Sequence, residues 1–351
     1  MTQLLKIKKF ILYFLIIKIL ITLLFFVLME PVFNQSVFKF NDFGKYSTLN
    51  IEVGGNIGYR LLISFLEISS IAEPLPIFLA FIINIFVDIG WIYLLSKYLS
   101  LKGLILFILM LGLQPYAAIY TLKFTTIIFA KIALFFFCKE LFDGGFNKIK
   151  QKTLSLGEFL FWTFLTLMRT ANVFSAVPYF FLKLRNHPFR AILIIMGFGC
   201  AMYFASPNYV ADAHEIPDRP WGLNYIKELL GIENNFLALL LTVVARVLLL
   251  FGAREKLLGE GIEQFLVWGI PGLELSVYVF LGVIQFFGFY LALRFFFQRY
   301  GVVSLAILIP IGIYILTYPQ QRYLIPFIPI CLFGLALAFE NVANNFKKLK
   351  Y

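Results

Sequence analysis

Asp42 is the first side chain in this sequence that combines a reactive group with a setting suited to chemistry. It lies among the aromatic residues of the polar stretch 38–46, close to Lys45. Partial burial raises the pKa of a carboxyl group towards the working pH and a nearby lysine holds it ionised, so this pattern is typical of a general base. The competing interpretation is a solvated aspartate that caps the turn at Gly44. That interpretation is the commoner one for a single acidic residue.

Arg322 is the second candidate, and it follows Gln321 and precedes Tyr323 at the start of an apolar, proline-containing run. A guanidinium at the end of such a run can hold a phosphate through paired donors while its stem lies in apolar surroundings. The alternative is an anchor at an interface, where arginine and tyrosine are both common. The sequence leaves these two interpretations open.

Arg169 is a third candidate, in the middle of the apolar segment 156–182. It is either a second phosphate contact or a side chain that extends along the apolar surface to reach water. Taken alone, Arg169 fits the second interpretation better.

The composition indicates what kind of secondary structure positions these side chains. Of 351 residues, 61% are hydrophobic and 14% are charged, and the mean hydropathy is +0.88. A soluble domain is nearer half apolar and a quarter charged. The apolar runs recur too often for one water-soluble core. We therefore predict an all-α fold, a polytopic membrane helix bundle that forms a single transmembrane domain over residues 1–351.

The net charge of +11 does not indicate a nucleic-acid-binding protein. The lysines and arginines form short clusters between the apolar runs, as the preference of basic residues for the cytoplasmic side predicts. Three cysteines without paired spacing and two histidines indicate neither a disulfide framework nor a metal site.

The same basic clusters predict the topology. The run 10–29 is an uncleaved first span that leaves the cytoplasm, with Lys18 facing the bundle interior. Both termini are predicted to be cytoplasmic, with about ten transmembrane helices and additional external amphipathic or interfacial helices. The last three spans are predicted at 276–293, 302–317 and 323–339. External loops at 31–73 and 208–275 are predicted to form the active-site face.

Two segments need special treatment in this topology. Basic residues flank 156–182 on both sides, so both of its ends are predicted to be cytoplasmic and the segment to form two short helices that turn near 169–172. The segment 236–251 carries Arg246, and the chain needs an even number of crossings. We therefore interpret 236–251 as an interfacial or re-entrant helix.

Asp88 and Lys131 lie inside apolar segments, where ionisable groups are expensive and usually face a partner or a cavity. Asn84 is four residues before Asp88 and shares its helix face. Asp88 and Lys131 are predicted either to pair as a structural bridge or to belong to a substrate route, and the sequence does not choose between these.

The layout resembles the GT-C superfamily of membrane glycosyltransferases. Four features carry the resemblance, and together they span nearly the whole chain. They are Asp42 in the loop after the first span, the loop 114–123 between two spans, the tandem helices around Arg169, and the late external segment 321–329 with its prolines.

The resemblance implies a function and roles for these residues. Asp42 would be the catalytic base, Arg322 would neutralise the phosphate of the lipid donor, and Arg169 or Lys123 would assist. Lys45, Gln321 and Tyr323 would complete the site.

The partners implied are membrane lipids, a polyprenyl-phosphate-linked sugar, and a glycan or lipid acceptor, with no cofactor. The stretch around Asp42 lacks the acidic pair of metal-dependent members, so no metal is expected. The chain lacks a large soluble C-terminal domain, which favours a bacterial-type enzyme of the inner (cytoplasmic) membrane.

Two alternatives remain. A polymerase of the O-antigen type would rely on external arginines more than on a loop aspartate. A carrier or flippase for lipid-linked saccharides would show internal repeats and broken helices at mid-depth. No clear repeat relates the two halves of the chain, but Asp88 and Lys131 keep the carrier open.

Overall fold

The computed structural model describes residues 2–33, 58–59, 61–62, 74–114, 126–143, 154–184, 187–205, 222–251, 273–316 and 321–348. Within these ranges all regular structure is helical, as predicted. The α-helices in chain order are α1 (Thr2–Phe33), α2 (Pro74–Ser96), α3 (Leu101–Leu113), α4 (Thr126–Asp143), α5 (Leu156–Met168), α6 (Val173–Lys183), α7 (Pro188–Ala205), α8 (Leu223–Leu230), α9 (Asn235–Leu250), α10 (Leu273–Tyr300), α11 (Leu308–Leu316) and α12 (Ile328–Lys348). Short 3-10 segments cover Thr170–Asn172, Gly301–Ile307 and Gln321–Phe327.

The outer surface of the bundle is apolar over most of its helices. Large hydrophobic side chains are exposed on α1, α2, α7, α9 and α10, including Leu20, Phe86, Phe189, Phe236 and Phe280. Soluble monomers rarely expose contiguous apolar patches on this scale. This surface is compatible with a membrane protein whose helices face lipid.

Three helical stretches among the described residues are long and apolar enough to cross a membrane: Phe78–Ser96, Phe280–Gly312 and Tyr323–Val342. The count becomes four if the bent pair Leu223–Leu230 and Asn235–Leu248 forms one span. About ten crossings therefore stays a prediction.

The last three segments alternate in direction. Phe289 of α10 contacts Phe327, the residue just before α12, and Phe296 of α10 contacts Phe333 of α12, with ring centroids 6.2 and 5.4 Å apart. The contacts advance in the same sense along both helices, so α10 and α12 are parallel. The chain must therefore return between them, and it turns at Gly301, whose φ of 65° suits glycine. This return is compatible with the separate spans predicted at 276–293, 302–317 and 323–339, which stay a prediction because Phe280–Gly312 counts as one apolar stretch.

Helices α10 and α12 approach closely because glycines face each other. A Cβ atom at Gly334 would overlap the carbonyl oxygen of Gly288, and one at Gly288 would overlap the carbonyl oxygen of Cys331. Small residues that bring helix backbones together are typical of packing in membranes, where tight contact replaces the hydrophobic effect.

Several segments predicted to be cytoplasmic meet at one end of the bundle. The hydroxyls of Tyr98 and Tyr300 form a hydrogen bond, and the Arg299 guanidinium lies 5.0 Å from the Tyr98 ring centroid. The backbone N–H and the hydroxyl of Ser100 each donate to Oε1 of Glu340 at 2.7 Å. The turn after α2, the last turn of α10 and the second half of α12 are thereby joined.

Helices α5 and α6 form a hairpin, which confirms the prediction of two short helices that turn near 169–172. The Lys183 ammonium at the end of α6 lies 2.7 Å from Oε1 of Glu158 in the first turn of α5. Both outer ends of the hairpin therefore lie together. The turn, Thr170–Asn172, lies at the far end.

Helices α8 and α9 are bent by 105° relative to each other. At Phe251, the last described residue after α9, the ring lies 5.2 and 6.2 Å from the rings of Phe286 and Phe289. These two residues are in the middle of α10, well before its end at Tyr300. This geometry is compatible with the re-entrant interpretation of 236–251, which stays a prediction.

Candidate functional site

The turn of the α5–α6 hairpin holds a group of buried polar side chains. Helix α5 stops because Arg169 has extended backbone angles, φ −153° and ψ 110°. The Asn172 side chain then donates to the carbonyl of Leu165 at 2.8 Å. Both Thr170 and Asn172, the two ends of the turn, are buried. Non-helical backbone inside a membrane bundle is tolerated where protein surrounds it, and this turn meets that condition.

Arg169 points into the bundle and is 7% exposed. Its Nη1 donates to the hydroxyl of Thr126 at 2.9 Å. Thr126 is the first residue of α4, so the tip of the hairpin docks at the start of that helix. The expectation that Arg169 extends to water is therefore wrong.

Two tyrosine rings also lie close to this guanidinium. Its Cζ lies 5.3 Å from the ring centroid of Tyr314 and 5.0 Å from that of Tyr323. The two rings stack on each other with centroids 4.9 Å apart. Cation–π attraction of this kind is stronger in a dry setting. We call Arg169, Thr126, Tyr314 and Tyr323 the arginine cluster.

The arginine cluster unites two regions that the sequence analysis placed in one site, the hairpin turn and the segment around Arg322. Gln321 and Arg322 belong to the 3-10 segment Gln321–Phe327, immediately before Tyr323, but their side chains lie outside the described part of the structure. Asp42, Lys45 and Lys123 also lie outside the described residues. The shared cavity predicted for Asp42 and Arg322 therefore stays a prediction.

A second buried arginine lies near the same place. Arg246 of α9 is 5% exposed, and its Nη1 donates to the carbonyl of Ile315 at 3.4 Å. Ile315 is the neighbour of Tyr314 in α11. Arg246 thus adds positive charge near the arginine cluster, which is the charge that an anionic ligand requires.

At the opposite end of the hairpin, Lys183 joins three helices. Its ammonium lies 3.5 Å from Oε2 of Glu140 and 2.7 Å from Oε1 of Glu158, and the Tyr179 hydroxyl donates to Glu158 at 2.9 Å. Burial acts to raise the pKa of Glu158, but hydrogen bonds from Lys183, the Ser155 N–H and Tyr179 outweigh it and lower that pKa to about 2. We call Glu140, Glu158, Tyr179 and Lys183 the base of the hairpin, because their contacts hold the outer ends of α5 and α6 together.

A third group lies in the interior between α1, α2 and α4. Lys131 Nζ is 2.6 Å from Oδ1 of Asp88 and donates to Oδ1 of Asn84 at 3.2 Å. Lys18 Nζ is 3.9 Å from Oδ2 of Asp88, and its side chain is fully buried. Asp88 and Lys131 form an ion pair, which is one of the two alternatives that the sequence left open. The predicted inward orientation of Lys18 is confirmed.

Sequence reasoning missed Thr126 and Tyr314, which are ordinary residues of apolar helices without a local signal. It also missed the base of the hairpin, for which a signal was present. Ser155 and Glu158 have capping-box spacing, and the structure shows both reciprocal hydrogen bonds.

Among the described residues, no group of three or more His, Cys, Asp or Glu side chains is arranged to hold a metal ion. Comparisons of the chain with protein family models, with curated proteins and with solved structures gave no match.

Proposed function

We propose that this protein is a multi-pass membrane glycosyltransferase that moves a sugar from a polyprenyl-phosphate carrier to a glycan or lipid acceptor. The observation that carries the proposal is the contact of Arg169 with Tyr323, the residue after Arg322. Two distant segments, each of which holds a candidate phosphate contact in the sequence, meet around one buried guanidinium. A buried, pre-positioned guanidinium is suited to stabilising the charge of a departing phosphate.

The proposed topology has about ten crossings, cytoplasmic termini and an active site at the outer face of a bacterial inner membrane. Two observations support it. Segments with basic flanks meet at one end of the bundle, around Tyr98, Ser100 and Glu340. The arginine cluster lies at the other end of the α5–α6 hairpin, away from Lys183.

The proposed reaction breaks the bond between the anomeric carbon of the sugar and the phosphate oxygen. Polyprenyl phosphate leaves with the electron pair, and an acceptor hydroxyl forms the new bond to the anomeric carbon. Asp42 takes the proton of that hydroxyl. Arg322 and Arg169 balance the charge that develops on the phosphate.

The test uses the purified full-length protein in lipid nanodiscs with a panel of radiolabelled polyprenyl-phosphate hexoses and pentoses. Release of polyprenyl phosphate, with label in water or on an acceptor, supports the proposal. The Asp42→Asn variant should insert and purify normally but lose transfer. Near-normal transfer by that variant removes Asp42 from the mechanism, and no release from any donor overturns the proposal.

A lipid-linked saccharide carrier is the second candidate, favoured by the interior group of Lys18, Asp88 and Lys131, because buried charges at mid-depth often mark transport routes. Movement of an intact labelled lipid-linked saccharide across proteoliposomes, without cleavage, would identify a carrier. An O-antigen-type polymerase stays the enzymatic alternative, and it would extend polyprenyl-diphosphate-linked repeats in the same assay format.

A further inference from the structure

The interior group between α1, α2 and α4 holds one more positive charge than negative charge. Asp88 is fully buried, and Lys131, at 2.6 Å, already pairs with it closely. Lys18 is also fully buried, yet it is 3.9 Å from the same carboxylate, beyond hydrogen-bond reach. Lys18 is therefore within ion-pair distance of Asp88 but makes no hydrogen bond to it, and Lys18 and Lys131 share this one carboxylate.

Lys18 also lacks hydrogen-bond partners. Within the described part of the chain, its Nζ has no acceptor, and neither does the hydroxyl of Thr22, which is 3% exposed. Lys18 and Thr22 are four residues apart on α1, so their side chains share one face of that helix. Two buried donors therefore lie side by side in the bundle interior.

An isolated buried ammonium is strongly unfavourable in a low-dielectric interior, and such groups are normally paired. Asn84 makes its hydrogen bonds to other groups: its Oδ1 accepts from Lys131 and its Nδ2 donates to the carbonyl of Ala80. What the site lacks is a single negative charge that accepts hydrogen bonds.

We propose that Lys18 and Thr22 bind a small monovalent anion of halide size, with chloride as the physiological ligand. The anion would accept hydrogen bonds from the Lys18 ammonium and the Thr22 hydroxyl, and with Asp88 it would balance the two lysines. The site is distinct from the arginine cluster, and it requires neither the transferase nor the carrier function.

The experiment measures binding of radioactive chloride to the purified full-length protein in detergent, with sodium gluconate keeping the ionic strength constant. We expect saturable binding of one chloride per chain below ~150 mM, the physiological ionic strength. Bromide should compete for the site, whereas gluconate and sulfate should not. Absence of saturable binding overturns the proposal.

Substitutions locate the site. Lys18→Met should abolish binding while the protein stays folded, because Lys131 still neutralises Asp88. Thr22→Val removes one hydrogen bond to a charged ligand and should weaken binding about tenfold or more. Lys9→Met is the matched control, since it removes the same charge from an exposed position of the same helix.

Thermal unfolding gives a second readout. Chloride should raise the melting temperature of the wild type and of Lys9→Met, but not that of Lys18→Met. Chloride binding retained by Lys18→Met, or an equal loss in Lys9→Met, would show that the anion binds elsewhere and would refute the assignment.

Discussion

Buried cations in this protein are held in two different ways. Arg169 has a hydroxyl acceptor and two aromatic faces, which suit a planar, weakly hydrated guanidinium. Lys18 is a compact ammonium, a type of group that needs more hydration, and within the described residues it has only a distant carboxylate. Protein contacts therefore fix the position of Arg169, whereas Lys18 makes no hydrogen bond among the described residues and calls for a ligand.

Thr126 is the residue that tests the arginine cluster. Thr126→Val removes the acceptor of a buried Arg169 donor and should lower the free energy of unfolding by ~1–3 kcal/mol. It should also reduce sugar transfer, because the guanidinium loses its fixed position. Thermal unfolding and initial transfer rates in the same detergent give the two readouts.

Thr166→Val is the matched control for this change. Thr166 is as deeply buried, but its hydroxyl donates to the carbonyl of Trp162 in its own helix, a bond whose loss costs little. An equal loss of stability in both variants would indicate that the Thr126 effect comes from burial and not from Arg169.

At the level of helices, the sequence predicts where a helix breaks and which charged residues face inward. It predicts less well which residues of other helices lie beside them. The flanking basic residues were enough to predict the α5–α6 hairpin and its turn, and burial cost was enough to predict that Lys18 faces inward. The surroundings of Arg169 were not predictable. Thr126 and Tyr314 come from two other helices, and in a chain this rich in aromatic residues no local pattern distinguishes one tyrosine as a partner.

Gly334 tests the packing of α10 on α12. Gly334→Ala places a methyl group against the backbone of Gly288 and should destabilise the bundle by ~1–3 kcal/mol, because neither backbone can yield without moving its helix. Gly197→Ala meets open space on α7 and should be neutral or slightly stabilising. The change in melting temperature relative to the wild type should therefore be clearly negative for Gly334→Ala and near zero or positive for Gly197→Ala.

Glu158 tests the base of the hairpin through its pH dependence. Its pKa in the folded protein, about 2, is below the ordinary 4.5, so the ionised carboxylate stabilises the fold above pH 4.5. That contribution disappears as the pH falls from 4.5 towards 2. The melting temperature of Glu158→Gln should lie below that of the wild type at pH 7, and the gap should close in acid.

The control for this pH effect is Glu233→Gln, at an exposed position between α8 and α9. The melting temperature of Glu233→Gln should stay close to that of the wild type at every pH. A gap for Glu158→Gln that stays constant from pH 7 to pH 3 would mean that the ionised form of Glu158 does not hold the hairpin closed.

For the whole molecule, the contacts divide the bundle into two ends. Tyr98, Ser100, Tyr300 and Glu340 meet at one end, while the arginine cluster lies at the far end of the α5–α6 hairpin. The sequence predicted this division because basic clusters recur at the same side of successive apolar runs. It could not predict how closely helices approach, since that depends on which glycines face each other across α10 and α12.

The assignment of these ends to the two sides of a membrane is testable by cysteine labelling. In a background without Cys138, Cys200 and Cys331, a membrane-impermeant maleimide added to intact cells should label Glu233→Cys but not Lys102→Cys. Both positions are exposed in the structure, and permeabilised cells should label both. The reverse pattern would place the arginine cluster on the cytoplasmic side. It would exclude sugar transfer at the outer face even if Arg169 does bind a lipid phosphate, so this labelling should precede any search for the donor.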